Sequence, residues 1–133
     1  MVLGELADGP GGPHVRFRAV DACILFAPML DGRALFTVES LGREGALHPV
    51  QQAMVDAHGS QCGFCTPGFV MSLYAAQRDG AATASLKDAL AGNLCRCTGY
   101  ENIVRAVRVA AESSRATTTE GAPAGRRWTK QST

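Results

Sequence analysis

The sequence is poor in several features that would indicate a charged partner or a membrane. Only 6% of its 133 residues are aromatic, and 13 basic against 12 acidic residues give a net charge of +1. So small a net charge gives no electrostatic reason to expect nucleic acid or a membrane surface as partner. The longest apolar run, residues 22–30, contains Pro28 and is far shorter than the roughly 20 residues of a transmembrane helix. We therefore expect no nucleic-acid partner and no membrane partner.

Two further absences concern targeting and phosphate binding. The residues after Met1 lack the basic region and the apolar stretch of a secretory signal. The chain also lacks the glycine-rich motifs that bind phosphate groups. We expect a cytoplasmic protein with one domain or two very small ones. In such a protein, closely spaced cysteines indicate a metal or redox site more often than they indicate disulfides.

The order of apolar and polar residues predicts an α+β fold. Short strands are predicted at 2–6, 15–20 and 34–38, with a loop rich in glycine and proline at 7–13. Four helices should follow, from Pro49 to a stop at Gly59, from Thr66 as N-cap to residue 80, over 85–92 and over 100–112. The first, second and fourth should each carry an apolar stripe on one side. Residues 113–133 show no apolar period, and their composition predicts a flexible tail.

Two stretches of the helical half resemble each other and contain four of the five cysteines. Residues 59–69 read Gly-Ser-Gln-Cys-Gly-Phe-Cys-Thr-Pro-Gly-Phe, and residues 92–100 read Gly-Asn-Leu-Cys-Arg-Cys-Thr-Gly-Tyr. Each stretch follows one predicted helix and leads into the next. The repeat predicts two helix–loop–helix units related by a rough two-fold axis. Their loops should face each other and bring together Cys62, Cys65, Cys95 and Cys97.

Four sulfurs at helix N termini suit an anionic metal cluster. A [2Fe–2S] cluster with four thiolates carries a net charge of about −2, or about −3 when it is reduced. Backbone N–H groups at helix starts stabilise such charge and favour the thiolate form of cysteine. Gly63, Gly68 and Gly99 allow the backbone to approach closely. Arg96 either offsets part of the cluster charge or is a solvated side chain.

Two other interpretations of the cysteines remain open at this point. A structural four-cysteine zinc module for protein–protein interaction is the main alternative. The two cysteines of each pair in a zinc site, however, are usually separated by two to four residues. The single residue between Cys95 and Cys97 disfavours it. A dithiol redox motif at Cys62 and Cys65 would follow a strand, whereas a helix is predicted there, and the second pair would then have no role.

The cysteine-containing stretches resemble the helical [2Fe–2S] domain of the xanthine dehydrogenase, or molybdenum hydroxylase, family. Residues 48–53 resemble the start of that domain, and residues 18–23 and 36–39 resemble the end of the ferredoxin-like domain that precedes it. The resemblance implies a truncated ferredoxin-like domain of β-grasp type at 1–45. It implies a four-helix [2Fe–2S]-binding domain at 46–112, after which the tail at 113–133 follows.

The same resemblance implies a function in electron transfer. The chain would be the iron–sulfur subunit of an oxidoreductase, with xanthine dehydrogenase favoured, and would perform no catalysis alone. It would relay electrons from a molybdenum–pterin centre in a large subunit toward FAD on another subunit or domain. The resemblance makes Gln61 a pterin contact and implies one cluster with the ligands Cys62, Cys65, Cys95 and Cys97.

The sequence departs from the family pattern in its first half. A plant-type ferredoxin cluster needs three closely spaced cysteines and a distant fourth, and only Cys23, which matches the fourth, is present. Truncation is favoured over ligands supplied by another chain. We expect Cys23 to be a free thiol, the orphan ligand of a missing second cluster. The apolar residues of the incomplete sheet should be partly exposed, namely Val15, Phe17, Leu35 and Phe36.

Overall fold

A small sheet precedes the helices in the computed structural model, which describes residues 1–43, 45–79 and 88–117. Strands β1 (Val2–Gly9), β2 (Gly12–Ala19) and β3 (Ala34–Phe36) form an antiparallel sheet in the order β2-β1-β3. Short 3₁₀ helices at Ala22–Ile24, Ala27–Leu30 and Val38–Ser40 lie along the connections around β3. The helices α1 (Pro49–Asp56), α2 (Thr66–Arg78) and α3 (Glu101–Thr117) follow. This mixture of helices and a small sheet confirms the α+β prediction.

The hairpin between β1 and β2 is longer than the sequence predicted. The two strands pair without interruption from Val2 opposite Ala19 to Gly9 opposite Gly12, so the predicted loop at 7–13 is wrong. Only residues 10 and 11 form the turn, and Gly12 takes a φ of 100° that glycine adopts without strain. Proline in β2 is tolerated because β2 lies at the edge of the sheet.

One face of the sheet packs against α2. Val2 and Phe17 form a buried cluster with Met71 and Ala75 of that helix. Phe17 is therefore buried, which corrects the expectation of partial exposure, and Arg78 closes over it with its guanidinium carbon 4.8 Å from the ring centroid. Phe36 is half-buried beside the same cluster. Val15 and Leu35 lie farther from α2 and are exposed, as expected.

The opposite side of α2 contributes to the main core of the helical half. The apolar stripes predicted on the helices are largely confirmed, because each helix places most of its stripe in the interior. The largest buried side chains of this core are Val50, Phe69, Leu73, Ile103 and Val107.

None of the helices within the described part of the chain has the length and apolar character needed to cross a membrane.

The last helix extends beyond its predicted end. It continues to Thr117, so the predicted boundary of the tail at 113 is wrong. Ser113 is accommodated because its hydroxyl donates to the carbonyl of Val109, one turn earlier, at 3.1 Å. Residues 118–133 lie outside the described residues, as do 80–87, which include residues 85–87 of the predicted third helix. Residues 88–90 are helical, and the four-helix arrangement with two-fold symmetry stays a prediction.

The start of α1 is fixed by a reciprocal cap centred on His48. Its Nδ1 accepts a hydrogen bond from the N–H of Val50 at 3.2 Å, while its own N–H donates to Gln51 Oε1 at 2.9 Å. Gln51 also donates to the carbonyl of Val38 at 3.0 Å, which ties the helix to the segment after β3. Burial, and then the nearby charge of Arg78, lower the pKa of His48.

We expect the His48 cap to weaken in acid. Because the folded pKa lies below the ordinary value of about 6.5, protonation favours the unfolded chain, and stability is lost as the pH falls below about 6.5. One such group changes the free energy of unfolding by at most about 1.4 kcal/mol per pH unit. Urea unfolding between pH 5 and 8 measures this.

His48→Asn is the matched control for that experiment. Asparagine keeps an acceptor at the N-cap but does not titrate in this range, so its stability should depend less on pH. Parallel profiles for the two proteins would contradict the assignment of the acid sensitivity to His48.

Candidate metal centre

The first cysteine loop is positioned by the way α1 ends. His58 adopts a left-handed conformation with a φ of 51°, and the N–H of Gly59 donates to the carbonyl of Met54 at 2.8 Å. This is the hydrogen bond of a Schellman ending. The sequence predicted Gly59 as the stop, but the left-handed residue is the one before it. The chain then reverses direction a few residues before Cys62.

The first loop closes on itself before α2 begins. Gly63 has a φ of 82°, which glycine adopts without strain, and the hydroxyl of Thr66 donates to Ser60 Oγ at 2.8 Å. The predicted N-cap at Thr66 is wrong. Thr66 is already helical and Cys65 occupies the N-cap position, because the threonine hydroxyl bonds across the loop instead of to the helix N–H groups.

The second loop is organised around Cys95 by a ring of hydrogen bonds. The backbone N–H of Cys95 donates to the hydroxyl of Tyr100 at 2.8 Å. The sulfur of Cys95 lies 3.1 Å from Thr98 Oγ1 and 3.4 Å from the N–H of Thr98. Gly99 and Tyr100 both have left-handed backbone, with φ of 64° and 69°, and this turns the tyrosine back over the loop.

Asn93 joins the second loop to α2. Its amide donates to Ser72 Oγ at 2.8 Å, and its Oδ1 lies 2.8 Å from the point where a Cβ on Gly68 would stand. Any side chain at residue 68 would push the second loop away from the helix. The sequence analysis anticipated a close approach at Gly68 but missed Asn93. The signal available in the sequence was Gly68 itself. Glycine is a poor helix former, yet it stands in the first turn of α2.

These contacts bring the four predicted sulfurs together as two pairs. Cys62 Sγ and Cys97 Sγ lie 3.4 Å apart and are exposed, whereas Cys65 and Cys95 share a hydrogen bond and are less exposed. The two pairs also affect each other electrostatically, since the charge of Cys95 acts on Cys62 and Cys97, and that of Cys62 acts on Cys65.

The thiols have unequal affinities for protons. Hydrogen bonds from Thr98 lower the pKa of Cys95 to about 7. Burial, and then the hydrogen bond with Cys95, raise the pKa of Cys65 to about 11. In the exposed pair, a backbone hydrogen bond from Phe64 lowers the pKa of Cys62, and the hydrogen bond with Cys62 raises the pKa of Cys97. Cys95 is therefore already close to the thiolate form that binds metal.

The arrangement fits a two-iron cluster. Thiolates are the soft ligands that iron–sulfur clusters take, with two for each iron. Two sulfur pairs on facing loops supply that set. Within the part of the chain that the structure describes, no three histidine, cysteine or acidic side chains converge on a point where one metal ion could bind.

The remaining predicted site residues lie around these pairs. Gln61 is exposed on the first loop directly before Cys62, and Arg96 is exposed on the second loop. Cys23 is exposed on the 3₁₀ helix Ala22–Ile24 and belongs to neither pair. Its neighbour Ala22 lines a cleft of about 470 Å³ together with Cys65, so the segment of Cys23 passes beside the first loop.

Comparison with known proteins identifies a family and several relatives of this chain. The family model for a [2Fe-2S] binding domain matches residues 37–108. Xanthine dehydrogenase from Oryza sativa subsp. japonica is 50% identical over 95 residues, which cover 68% of this chain and 7% of the relative. Aldehyde oxidase 1 from Rattus norvegicus is 44% identical over 108 residues, 79% of this chain and 8% of the relative. The chain thus spans less than a tenth of these curated relatives.

Solved structures of oxidoreductases share the fold. Quinoline 2-oxidoreductase from Pseudomonas putida 86 superposes with a TM-score of 0.65 at 30% identity, over 86% of this chain and 67% of that one. Aldehyde oxidoreductase from Desulfovibrio gigas gives a TM-score of 0.67 at 35% identity, over 86% of this chain and 13% of that one. With more than half of the chain matched by the family model, the chain belongs to the [2Fe-2S] binding domain family and is homologous to the matching regions of xanthine dehydrogenase and aldehyde oxidase.

Proposed function

We propose that the chain carries electrons in a molybdenum hydroxylase, from a molybdenum–pterin centre toward FAD, through one [2Fe–2S] cluster. The observation that carries this proposal is the pairing of four sulfurs on two facing loops. When bound, the cluster takes up one electron at a time and passes it on. The chain itself contributes position, burial and hydrogen bonds, and we assign it no bond-making chemistry.

The sulfur pairs suggest how the ligands divide between the two irons. Cys62 and Cys97, with sulfurs 3.4 Å apart, would hold one iron. Cys65 and Cys95, which share a hydrogen bond, would hold the other. Helix α2 begins directly after Cys65, so its N-terminal N–H groups and its dipole stabilise the negative charge of the cluster.

The loops also supply a surface on which a molybdenum-containing large subunit can dock. Phe64 and Leu94, beside the cysteines on the two loops, are 94% and 80% exposed. Apolar side chains so exposed next to a cofactor site indicate contact with a partner. We place Gln61 and Arg96 on the same surface. Gln61 is proposed to contact the pterin, since fast electron transfer requires the cluster close to it.

The first half of the chain is proposed to be part of a ferredoxin-like domain, over residues 1–45, next to the helical cluster domain from residue 46. Its sheet packs directly on α2, and with Cys23 as its one cysteine this half would hold no second cluster. The FAD would be held by a further subunit or domain. The proposed ligands must remain free thiols until they bind metal, which favours the reducing cytoplasm.

We favour xanthine over an aldehyde as the substrate of the whole enzyme. The resemblance around Cys23 supports this choice, as does the similarity to plant xanthine dehydrogenases. The alternative function, a structural zinc module, is not supported by the sulfur pairs. A purified [2Fe–2S] protein is red-brown and gives an EPR signal after dithionite, whereas a colourless chain with one zinc would sink the proposal.

We expect Cys97→Ala to remove both irons and to destabilise the helical half. Loss of a metal site is among the most destabilising changes, at about 4 kcal/mol or more. Iron and sulfide analysis together with thermal unfolding measures both effects. Cys23→Ala is the matched control and should keep both irons. Coincident melting curves for Cys97→Ala and the natural sequence would show that the site is peripheral to the fold.

We expect Gln61→Ala to slow electron transfer from the molybdenum subunit without loss of iron. The readout is the rate of cluster reduction by substrate in a reconstituted complex, followed by absorbance. Gln52→Ala is the control, because Gln52 is also exposed and, among the described residues, its side chain donates to Asp56 on the same helix at 2.8 Å. Equal rates in all three proteins would remove Gln61 from the site.

We expect two irons per chain and one reactive thiol. The chain has five cysteines, and a [2Fe–2S] cluster takes four, so only Cys23 remains. Iron analysis combined with thiol titration of the folded protein tests this count. Four irons with no reactive thiol would mean that a second chain supplies ligands to a second cluster.

A further inference from the structure

Cys95 differs from the other cysteines in the hydroxyl group that approaches its sulfur. Thr98 Oγ1 lies 3.1 Å from the sulfur, and the Thr98 N–H adds a second contact at 3.4 Å. The hydroxyl oxygen already accepts a hydrogen bond from the N–H of Tyr100 at 3.1 Å. Because a thiolate ligand has no proton to give, the hydroxyl is the donor when Cys95 binds iron.

The geometry of this contact is held from two sides. The Tyr100 hydroxyl accepts the N–H of Cys95 at 2.8 Å, and the Tyr100 N–H holds the threonine oxygen. The ring of Tyr100 packs edge-on against Phe69, with centroids 6.2 Å apart. The threonine hydroxyl is thus fixed toward the sulfur by the fold, and Phe69, which anchors the tyrosine, is part of the buried core.

The corresponding threonine of the first loop has a different contact. Thr66 follows Cys65 just as Thr98 follows Cys97, but its hydroxyl bonds to Ser60 Oγ at 2.8 Å. The cause is the spacing of the cysteines. Thr98 lies three residues after Cys95, within one turn, whereas the extra residue of the first loop places Thr66 four residues after its first cysteine.

We propose that Thr98 raises the reduction potential of the cluster by donating its hydroxyl hydrogen bond to Cys95. The inference rests on the ligand set of the proposed function. One-electron reduction takes the charge of the cluster and its thiolates from about −2 to about −3. A hydrogen bond to a ligand sulfur stabilises the more negative state more strongly, so it favours reduction.

The test compares Thr98→Val, Thr98→Ser and Thr66→Val with the natural sequence. Valine keeps the shape and the N–H of residue 98 but removes the hydroxyl, whereas serine keeps the hydroxyl. Thr66→Val makes the same chemical change at the matched position of the other loop. Each protein is titrated with dithionite and redox mediators while its EPR signal is recorded, and iron is counted in parallel.

All four proteins should hold two irons. The equilibrium constant for one-electron reduction should fall about threefold to tenfold in Thr98→Val, where tenfold corresponds to about 59 mV. Thr98→Ser and Thr66→Val should match the natural sequence. This measurement needs neither substrate nor partner subunits, and a purely structural role for the hydroxyl would not shift the potential of an intact cluster.

Three results would overturn the inference. The first is an unchanged potential in Thr98→Val with both irons present. The second is loss of iron from Thr98→Val but not from Thr98→Ser, which would make the hydroxyl an assembly requirement. The third is an equal shift in Thr66→Val. Zinc instead of iron in the natural protein would overturn the proposed function together with this inference. Metal analysis of the natural protein shows this before any variant is made.

Discussion

Burial of α2 on two sides is the constraint on which the rest of the structure depends. Met71 and Ala75 pack on the sheet, while Phe69 and Leu73 lie in the core with α1 and α3. The helix begins directly after Cys65. The position of one sulfur pair is therefore fixed by both cores at once, and the sheet supports the site even though none of its strands carries a proposed ligand.

The two loops perform the same task with different local chemistry. In the first, Cys65 lies at the start of a helix, and burial is the main cause that raises its pKa. In the second, Cys95 is surrounded by donors from Thr98. The difference follows from one residue of spacing between the cysteines, since it decides which backbone and hydroxyl groups can reach a sulfur. A repeat that is nearly symmetric in sequence thus gives different surroundings to Cys65 and Cys95, the two proposed ligands of one iron.

Local pattern was enough to predict the helical stripes, the three strands and the grouping of the cysteines, because periodicity and spacing act over a few residues. It failed where distant contacts decide. Phe17 is buried because α2, more than 50 residues away, covers it. Thr66 does not cap α2 because Ser60 takes its hydroxyl. Asn93 was missed because its partners lie on another helix, and Gly68 on that helix was a weak sign of its approach.

The closeness of Cys62 and Cys97 exposes two proposed ligands to oxidation whenever the site holds no metal. A disulfide bond is about 2 Å long, so two exposed thiols with sulfurs 3.4 Å apart need only a small movement to join. Joining releases two electrons and two protons to an oxidant and removes one proposed ligand from each loop. A disulfide there would leave only two of the four thiolates that the proposed cluster needs, so both thiols must stay reduced until iron binds.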